Sequence, residues 1–449
     1  MKYQAYARHN LKKLPSYHRM SEEQVHAINV VSEVLPFKTN NYVVNELIDW
    51  DNYQDDPMFI LNFPQRSMLS PSQFSILSAM VKNQVNKAVL AKHIAELRLK
   101  LNPHPAGQLE HNVPSLQGKM LTGIQHKYRE TMLFFPTQGQ TCHAYCTFCF
   151  RWPQFTGVNE LKFAMKQPKL MVAYLKDNPS ITDILFTGGD PMVMKAEVLE
   201  RYFDAILEAD LPQIKTIRIG TKSLSFWPYR FLTDPDAEPL LDLFKKVSDR
   251  GIHLAFMAHL NHPRELETDA VKEAISRIRD TGAQIRSQSP LLRHINDSPE
   301  IWADIWRKQV NLGIVPYYMF VARNTGTQSY FGVELQRAHH IFNNAYQQVT
   351  GIGRTVRGPS MSAGPGKVRI VGITEVQGEK VFVLEFLQGR NPDWVGKPFL
   401  AAYDEEAQWL NDLVPAFGAT EFFYEKEYRK LLKVDKLPGH ILSPNKQSA

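Results

Sequence analysis

The stretch MLFFPTQGQTCHAYCTFCFR, residues 132–151, joins a strongly apolar run to a loop that carries every cysteine of the chain. The run 132–137 is short and rich in apolar side chains, which is typical of a buried strand. Cys142, Cys146 and Cys149 lie within eight residues, and aromatic side chains separate them. Three clustered thiols do not form a disulfide framework, so the sequence predicts a strand followed by a loop with one shared chemical task.

Similar units recur downstream of this stretch. Candidate strands are 132–137, 183–187, 215–219, 253–259, 284–289 and 315–321. Segments with apolar residues at helical spacing separate them, and the last of these helices is predicted at about 332–350. Alternating strands and helices indicate a parallel sheet, so we expect an α/β fold with a partial (β/α)6 TIM-like barrel.

The two ends of the chain have a different pattern. Residues 1–125 are predicted to be mainly helical, with a helix capped at Ser21 and a proline-rich connector around 103–114. The run after residue 367 predicts a β-hairpin turning at Gly378, followed by a helical tail. We therefore divide the chain into an N-terminal helical region (1–125), the partial barrel (126–367) and a C-terminal α+β extension (368–449).

Composition excludes several classes of protein. The 449 residues include 52 basic and 46 acidic side chains, a net charge of +6, without a long basic run. This balance argues against nucleic acid as a partner and favours anionic ligands.

No apolar run approaches the ~20 residues that cross a bilayer, and residues 1–20 lack a secretory signal. We expect a cytoplasmic protein without a membrane partner.

The spacing Cys142-x3-Cys146-x2-Cys149 indicates an iron–sulfur site. Thiolates bind such clusters, and a [4Fe–4S] cube with three protein ligands leaves one iron open for a substrate or cofactor. Structural zinc on the three cysteines and His143 is an alternative, but His143 directly follows Cys142 and the chelate would be strained. Three incidental cysteines are the other alternative, which their clustering disfavours.

This loop after a first barrel strand resembles that of the radical S-adenosylmethionine superfamily. The resemblance implies that the open iron binds the methionine part of S-adenosylmethionine, and that reductive cleavage yields a 5′-deoxyadenosyl radical. It also implies cofactor contacts at the ends of later strands. The residues at these positions are Gly188, Gly189, Asp190, His259 and Gln288.

Further segments resemble the lysine 2,3-aminomutase family in order and spacing. They are QHKYRE (125–130), FTGGDP (186–191), RIGTK (218–222), AHLNHP (258–263), SQSPLL (287–292), NDSP (296–299), PYY (316–318) and GPGK (364–367). That family uses pyridoxal phosphate to hold the substrate amino group while it moves between neighbouring carbons. The resemblance implies an isomerase with Lys367 as Schiff-base lysine, Lys127 and Tyr128 near the cofactor, and Arg151 on the substrate carboxylate.

Two positions depart from the lysine-specific pattern. Lysine-specific members have aspartates where this chain has Arg323 and Ser360. A cationic Arg323 would repel the second ammonium of lysine and would favour an anionic tail. We therefore expect a non-lysine substrate, with a glutamate-like amino acid as the leading candidate. The zinc-bearing members also need further cysteines, so no zinc is expected.

Other readings remain open from sequence. A radical enzyme of another reaction type would leave Lys367 idle as a solvated lysine after a turn. A non-enzymatic iron–sulfur module, such as a redox sensor, would need neither lysine nor arginine near its thiols. As partners we expect the amino acid and a reductant such as flavodoxin or ferredoxin, and a homo-oligomer is left open.

Overall fold

The computed structural model describes residues 1–102, 112–156 and 163–434. Most of the predicted connector at 103–114, and the end of the predicted tail at 435–449, lie outside these residues. The strands are β1 Ala5–Ala7, β2 Lys38–Asn40, β3 Ser115–Leu116, β4 Lys119–Met120, β5 Ile124–Tyr128, β6 Thr131–Phe134, β7 Asp183–Phe186, β8 Thr216–Thr221, β9 His253–His259, β10 Gln284–Leu291, β11 Val315–Val321, β12 Arg357–Ser362, β13 Gly366–Val376, β14 Glu379–Gly389 and β15 Pro398–Ala402.

The helices complete the element order. They are α1 Glu22–Val34, α2 Pro57–Asn62, α3 Pro71–Lys82, α4 Lys87–Leu101, α5 Pro168–Asp177, α6 Ala196–Glu208, α7 Ser223–Phe226, α8 Ala237–Asp249, α9 Asp269–Asp280, α10 Pro299–Asn311, α11 Gln328–Phe331, α12 Leu335–Gln347 and α13 Glu425–Val434. Within the described ranges, none of these helices is both long and apolar enough to cross a membrane.

One large mixed sheet organises the described part of the molecule. Its spatial order runs from β5 through β15 without interruption. Strands β6 to β12 are parallel to one another and lie in chain order. This arrangement arises because each connecting helix returns the chain to the same end of the sheet. Antiparallel strands close both edges, with β5 on one side and β13–β15 on the other.

The six strands predicted for the parallel sheet are present, with small shifts of their ends, and their closure into a partial barrel stays a prediction. The first stops at Phe134, because Pro136 lacks an N–H and a 3-10 turn follows over Thr137–Gly139. The last predicted helix is shorter than expected and covers Leu335–Gln347. A seventh parallel strand, β12, was missed, since its sequence RGPSMS contains glycine and proline and has little strand propensity.

Predictions for the two ends have mixed outcomes. The helix capped by Ser21 is confirmed, since its hydroxyl accepts from the N–H of Gln24 at 3.1 Å. The C-terminal hairpin is also confirmed, and Gln377 and Gly378 both have positive φ, as a two-residue turn requires. Strand β15 was not predicted. The hairpin joins the main sheet, and the predicted division at 367 lies inside β13, so the three-part division stays a prediction.

The helices cover one face of the sheet and bury its apolar side chains. Phe134 and Phe186 on neighbouring strands pack edge-on at 5.3 Å, and Phe186 contacts Phe203 of α6 at 5.1 Å. Each such side chain contributes about 1.5–3 kcal/mol through burial. Because side chains alternate along a strand, the opposite face carries polar residues such as Arg218 and Arg286, which are only half-buried.

The opposite face of the sheet encloses a polar interior. The ammonium of Lys127, on edge strand β5, donates to the carbonyl of Ala363, which follows β12 near the other end of the parallel set. A side chain can join these distant strands only when the sheet curves. The carboxyl ends of β6 to β11 therefore converge on the space next to the cysteine loop.

Candidate active site

The cysteine loop follows β6 and is held in place by the N-terminal region. The backbone N–H of Tyr145 donates to the carbonyl of Lys38 at 2.7 Å, and that of Thr147 donates to Leu61 at 2.9 Å. All three cysteines are free and half-buried. The loop is thus ordered by backbone contacts, which lowers the conformational entropy lost when a ligand binds its thiols.

Burial raises the pKa of all three cysteine thiols. Basic residues oppose that shift at each thiol: Lys38 at Cys142, Lys222 at Cys146, and Arg151 at Cys149, where the Arg151 backbone also donates a hydrogen bond. Iron binding requires deprotonated thiols, and nearby cations favour the thiolate. The loop therefore carries both the ligands and the compensating charge for an anionic thiolate centre.

This donor set fits a [4Fe–4S] cluster better than a single metal ion. In the described ranges, no three His, Cys, Asp or Glu side chains are placed to hold one ion. A cube binds each thiolate at a separate iron, so its ligands stand farther apart than those of one zinc ion.

His143 does not support the zinc alternative. Its Nδ1 hydrogen-bonds the hydroxyl of Ser223 at 2.9 Å, and its ring packs edge-on against Tyr3 at 5.6 Å. Burial lowers the pKa of this imidazole to about 3. The side chain is therefore part of the packing between the loop and the N-terminal region.

The Gly188-Gly189 pair lies directly against the cysteine loop. A Cβ on Gly189 would stand 2.6 Å from the backbone nitrogen of Thr141, and one on Gly188 would meet the side chain of Gln140 at 2.9 Å. The missing side chains are thus explained by contact with the residues before Cys142. The predicted contact of these glycines with S-adenosylmethionine stays a prediction.

Asp190 is buried and fully engaged by protein groups. Its carboxylate accepts from the hydroxyls of Thr221 at 2.7 Å and Ser223 at 3.0 Å, and from the N–H of Met192 and Lys222 at 2.9 Å each. Burial raises its pKa, and these hydrogen bonds oppose the rise. The carboxylate ties the end of β7 to the end of β8, which gives it a positioning role next to the loop.

His259 ends β9, as predicted, whereas Gln288 lies inside β10, which continues to Leu291. They are paired in register across β9 and β10, and the ring of His259 stacks near Phe148 of the cysteine loop at 6.3 Å. Burial lowers the pKa of His259 to about 3, and the charges of Lys222 and Arg151 add to this shift. A neutral imidazole and an amide therefore border the loop on this side.

A group of three cations, Lys127, Arg323 and Lys367, lies on the other side of the loop, and Arg390, which donates to Asn112 and to the carbonyl of Gly364, borders it. The pKa of Lys127 lies well below its usual range, first because of burial and then because of Arg390, Arg323 and Lys367. Tyr128 extends this group, and burial raises the pKa of its phenol, which stays protonated. Buried like charges repel unless an anion compensates them. The group is therefore suited to one or more anionic ligands.

Arg151 and Arg323 both lie near one aromatic ring. Their guanidinium carbons stand 5.2 Å and 4.5 Å from the centroid of Phe150. Nη1 of Arg151 is buried and has no hydrogen-bond partner. In the described part of the chain, the side chain of Arg323 forms no ion pair or hydrogen bond. Both guanidiniums are thus available to a planar anion such as a carboxylate.

Lys367, at the start of β13, lies against aromatic rings. Its Nζ is 4.0 Å from the ring centroid of Tyr318. Burial lowers its pKa to about 7, with further lowering by Arg218, Arg357 and Arg323, while Asp183 acts in the opposite direction. About half of this amine is neutral at pH 7, which is the form that attacks carbonyl groups.

Comparison with known proteins agrees with this arrangement. No protein-family model matches the chain. A putative L-lysine 2,3-aminomutase of Aquifex aeolicus is 29% identical over 391 residues, which cover 87% of this chain and 91% of that protein. L-lysine 2,3-aminomutase of Clostridium subterminale is 28% identical over 244 residues, or 54% of this chain and 55% of that enzyme. The chain is a divergent lysine 2,3-aminomutase-like protein.

The extent of these similarities differs among relatives. The match spans almost all of the Aquifex protein but about half of the clostridial enzyme. Among solved structures, a radical SAM methyltransferase from Sphaerobacter thermophilus has 16% identity and a TM-score of 0.36, covering 53% of this chain and 68% of that one. That TM-score is too low for a structural argument.

Ser360 lies within β12 of this aminomutase-like protein. It is fully buried, and its hydroxyl donates to the carbonyl of Arg357 at 3.2 Å. No contact within the described residues joins it to Arg323. Its predicted role in substrate binding stays a prediction, and the geometry favours Arg323 as the residue that faces the ligand space.

Several residues of the site were not singled out from sequence. Lys222 forms an ion pair of 2.5 Å with the fully buried Glu265. The sequence comparison had matched the segment RIGTK, which contains Lys222, without assigning this lysine a role. Arg218 pairs with Asp183 below Lys367, with Nε to Oδ1 at 2.8 Å. Lys38 carries no sequence signal, because the contact that brings it to the loop spans about a hundred residues.

The contact between Gly189 and the loop gives a testable prediction. Gly189→Ala should destabilise the protein by about 1–3 kcal/mol, because the added Cβ overlaps the Thr141 backbone and forces it to move. Thermal unfolding and iron content after anaerobic reconstitution measure the effect. Gly372→Ala is the matched control, since nothing lies within 4 Å of its Cβ. Equal melting temperature and iron content in both variants would contradict the assignment.

Proposed function

We propose that this protein is a radical S-adenosylmethionine aminomutase that binds pyridoxal phosphate at Lys367 and acts on an amino acid with an anionic side chain. The observation that carries the proposal is the group of cations around Lys127, Arg323 and Lys367, which lies beside a thiol loop suited to a cluster. When bound, the cluster and S-adenosylmethionine would supply a carbon radical, and pyridoxal phosphate would hold the migrating amino group.

The chain's own residues then divide the ligands between them. Lys127, beside the ring of Tyr128 at 5.3 Å, supplies a compact charge for a phosphate. Arg151 presents an unpartnered guanidinium nitrogen for the α-carboxylate, close to the thiol of Cys149. Arg323, next to the same Phe150 ring, remains for a carboxylate on the substrate side chain. Three separate anions would thus meet three separate cations.

Lys367 has the properties required of a lysine that attaches to a cofactor aldehyde. Its lowered pKa leaves a large neutral fraction at physiological pH. The ring of Tyr318 below it at 4.0 Å, and that of Phe320 at 5.6 Å, limit where the amine can move and keep water from its lower side. A positioned, partly dehydrated amine is a better nucleophile than a solvated lysine.

The part of the candidate site next to the cysteine loop would accommodate S-adenosylmethionine. His259 and Gln288 present a neutral ring and an amide toward the space next to Phe148, and Gly188, Gly189 and Asp190 set the distance between β7 and the loop. We also propose that the curved parallel strands form a partial barrel, and that the chain divides into this barrel and the two regions that flank it. A one-electron donor such as flavodoxin or ferredoxin is part of the same proposal.

An anaerobic assay with a panel of amino acids tests this function. Reconstituted protein with reductant, S-adenosylmethionine and pyridoxal phosphate should release 5′-deoxyadenosine and form the β-amino acid 3-aminoglutarate from glutamate. Deuterium at the substrate's β-carbon should appear in 5′-deoxyadenosine. Deoxyadenosine without any β-amino acid across the panel would indicate a different radical reaction. No deoxyadenosine with an intact cluster would refute the radical function altogether. Cys146→Ala is the control without a complete ligand set.

A further inference from the structure

The two-stranded antiparallel sheet of β1 and β2 lies directly on the cysteine loop. The phenol of Tyr3, just before β1, donates to the carbonyl of His143 at 2.7 Å, and the amide of Asn40 donates to the same carbonyl at 3.3 Å. The carbonyl of Lys38 accepts from the N–H of Tyr145. This two-stranded sheet therefore determines the position of the first half of the loop, although the two are about a hundred residues apart in sequence.

Lys38 brings a positive charge to this contact. Its Nζ donates to the hydroxyl of Thr141 at 3.1 Å, and it stands 5.0 Å from the ring centroid of Tyr145. These two residues flank Cys142, and the ammonium pairs with no carboxylate in the described part of the chain. A half-buried ammonium without a counter-ion is unfavourable, so the fold holds it there against a cost in stability.

The other two cations beside the thiols have, or would have, a carboxylate partner. Lys222, the neighbour of Cys146, is paired with buried Glu265, and the field of that carboxylate on the thiol opposes that of the lysine. Arg151 would be neutralised by a substrate carboxylate. Of the three, Lys38 has no carboxylate partner of its own in the described part of the chain, and the carboxylate of Asp190 acts on Cys142 in the opposite direction to it.

We propose that Lys38 sets the reduction potential of the cluster held by Cys142, Cys146 and Cys149. This inference rests on the proposed function. Reduction takes one electron from an external donor of low potential and leaves the cluster with one more negative charge. A fixed positive charge that hydrogen-bonds the residue next to Cys142 stabilises that reduced state more than the oxidised one. The cluster is thereby easier to reduce.

Redox titration followed by electron paramagnetic resonance measures this effect in the reconstituted full-length protein. In Lys38→Met, the ratio of reduced to oxidised cluster at a fixed solution potential should fall about tenfold, which equals a midpoint about 59 mV lower for one electron. Lys38→Arg should retain the wild-type midpoint. Lys12→Met, which removes an exposed lysine of the same N-terminal region, should also titrate as wild type.

The possible outcomes separate this inference from the function on which it rests. An unchanged midpoint in Lys38→Met with full iron content would refute the role of Lys38 alone. If neither Lys38→Met nor Lys38→Gln assembles a cluster while Lys38→Arg does, Lys38 acts in assembly and the inference is likewise refuted. A wild-type protein that binds no cluster would instead refute the proposed function.

Discussion

Lys367→Ala should lose covalently bound pyridoxal phosphate and its visible absorption band. Amino-group migration should fall by about 10⁴-fold or more, as when the nucleophile of an interdependent catalytic group is removed. The physical reason is the position of this amine over Tyr318, where burial and neighbouring arginines lower its pKa to about 7. Borohydride reduction followed by peptide mass spectrometry locates the modified lysine in the wild-type protein.

Lys380→Ala is a matched control for this variant. Lys380 lies on the same hairpin, and its Nζ stands 3.6 Å from the ring centroid of Tyr403, but it is solvent-exposed. It should retain cofactor and activity.

The rate of cofactor attachment in the wild-type protein should rise tenfold per pH unit below pH 7 and level off above it, because only the neutral amine reacts. A rate that keeps rising toward pH 10 would show that Lys367 titrates as an ordinary lysine and would contradict its assigned environment.

Arg323→Met should lower kcat/KM for glutamate while leaving cofactor binding close to that of wild type. Removing one partner of a buried ion pair costs about 2–5 kcal/mol, equal to a loss of roughly 30- to 5,000-fold. The wild-type protein should turn over glutamate and not lysine, because Arg323 already faces Lys127 and Lys367 with no carboxylate partner in the described structure. A second ammonium there would add to an existing repulsion.

Arg323→Asp extends the same test by reversing the charge. It should abolish turnover of glutamate and allow binding of lysine, detected as a shift of the cofactor absorption on titration with the amino acid. Arg337→Met removes an exposed arginine that pairs with Asp297, and it should leave both measurements unchanged. If Arg323→Met retained full kcat/KM for glutamate, Arg323 would not be the residue that determines specificity.

Prediction from the sequence succeeded for elements whose structure depends on residues close to one another in the chain. The six strands predicted for the parallel sheet follow from apolar runs that alternate with amphipathic helices, and all six are present. The hairpin turn at Gly378 follows from a short-range backbone requirement, and it is also confirmed. Strand β12 was missed because its glycine, proline and serines form a strand only through pairing with β11 and β13. Tertiary contacts override weak local propensity in such cases.

The same limit applies to the candidate site. Clustered cysteines and the matches around Lys367 could be read directly, since they depend on residue type and spacing. The two glycines at 188 and 189 were correctly placed at a strand end, but their close contact with Thr141 and Gln140 could not be foreseen. Likewise, the sequence did not reveal that four protein groups donate hydrogen bonds to the Asp190 carboxylate, and its predicted cofactor contact stays a prediction.

By itself, the sequence determined the thiol loop, the order of the parallel strands and the lysine 2,3-aminomutase-like family of the chain. These depend on neighbours along the chain and on spacing that a family repeats. Only the tertiary structure decided which charges meet: Lys38 beside Cys142, Glu265 beneath Lys222, and the cations that surround Lys127 and Lys367. Electrostatic interactions depend on distance and burial in space. Residues far apart in sequence therefore acquire a common chemistry only when the sheet curves and brings them together.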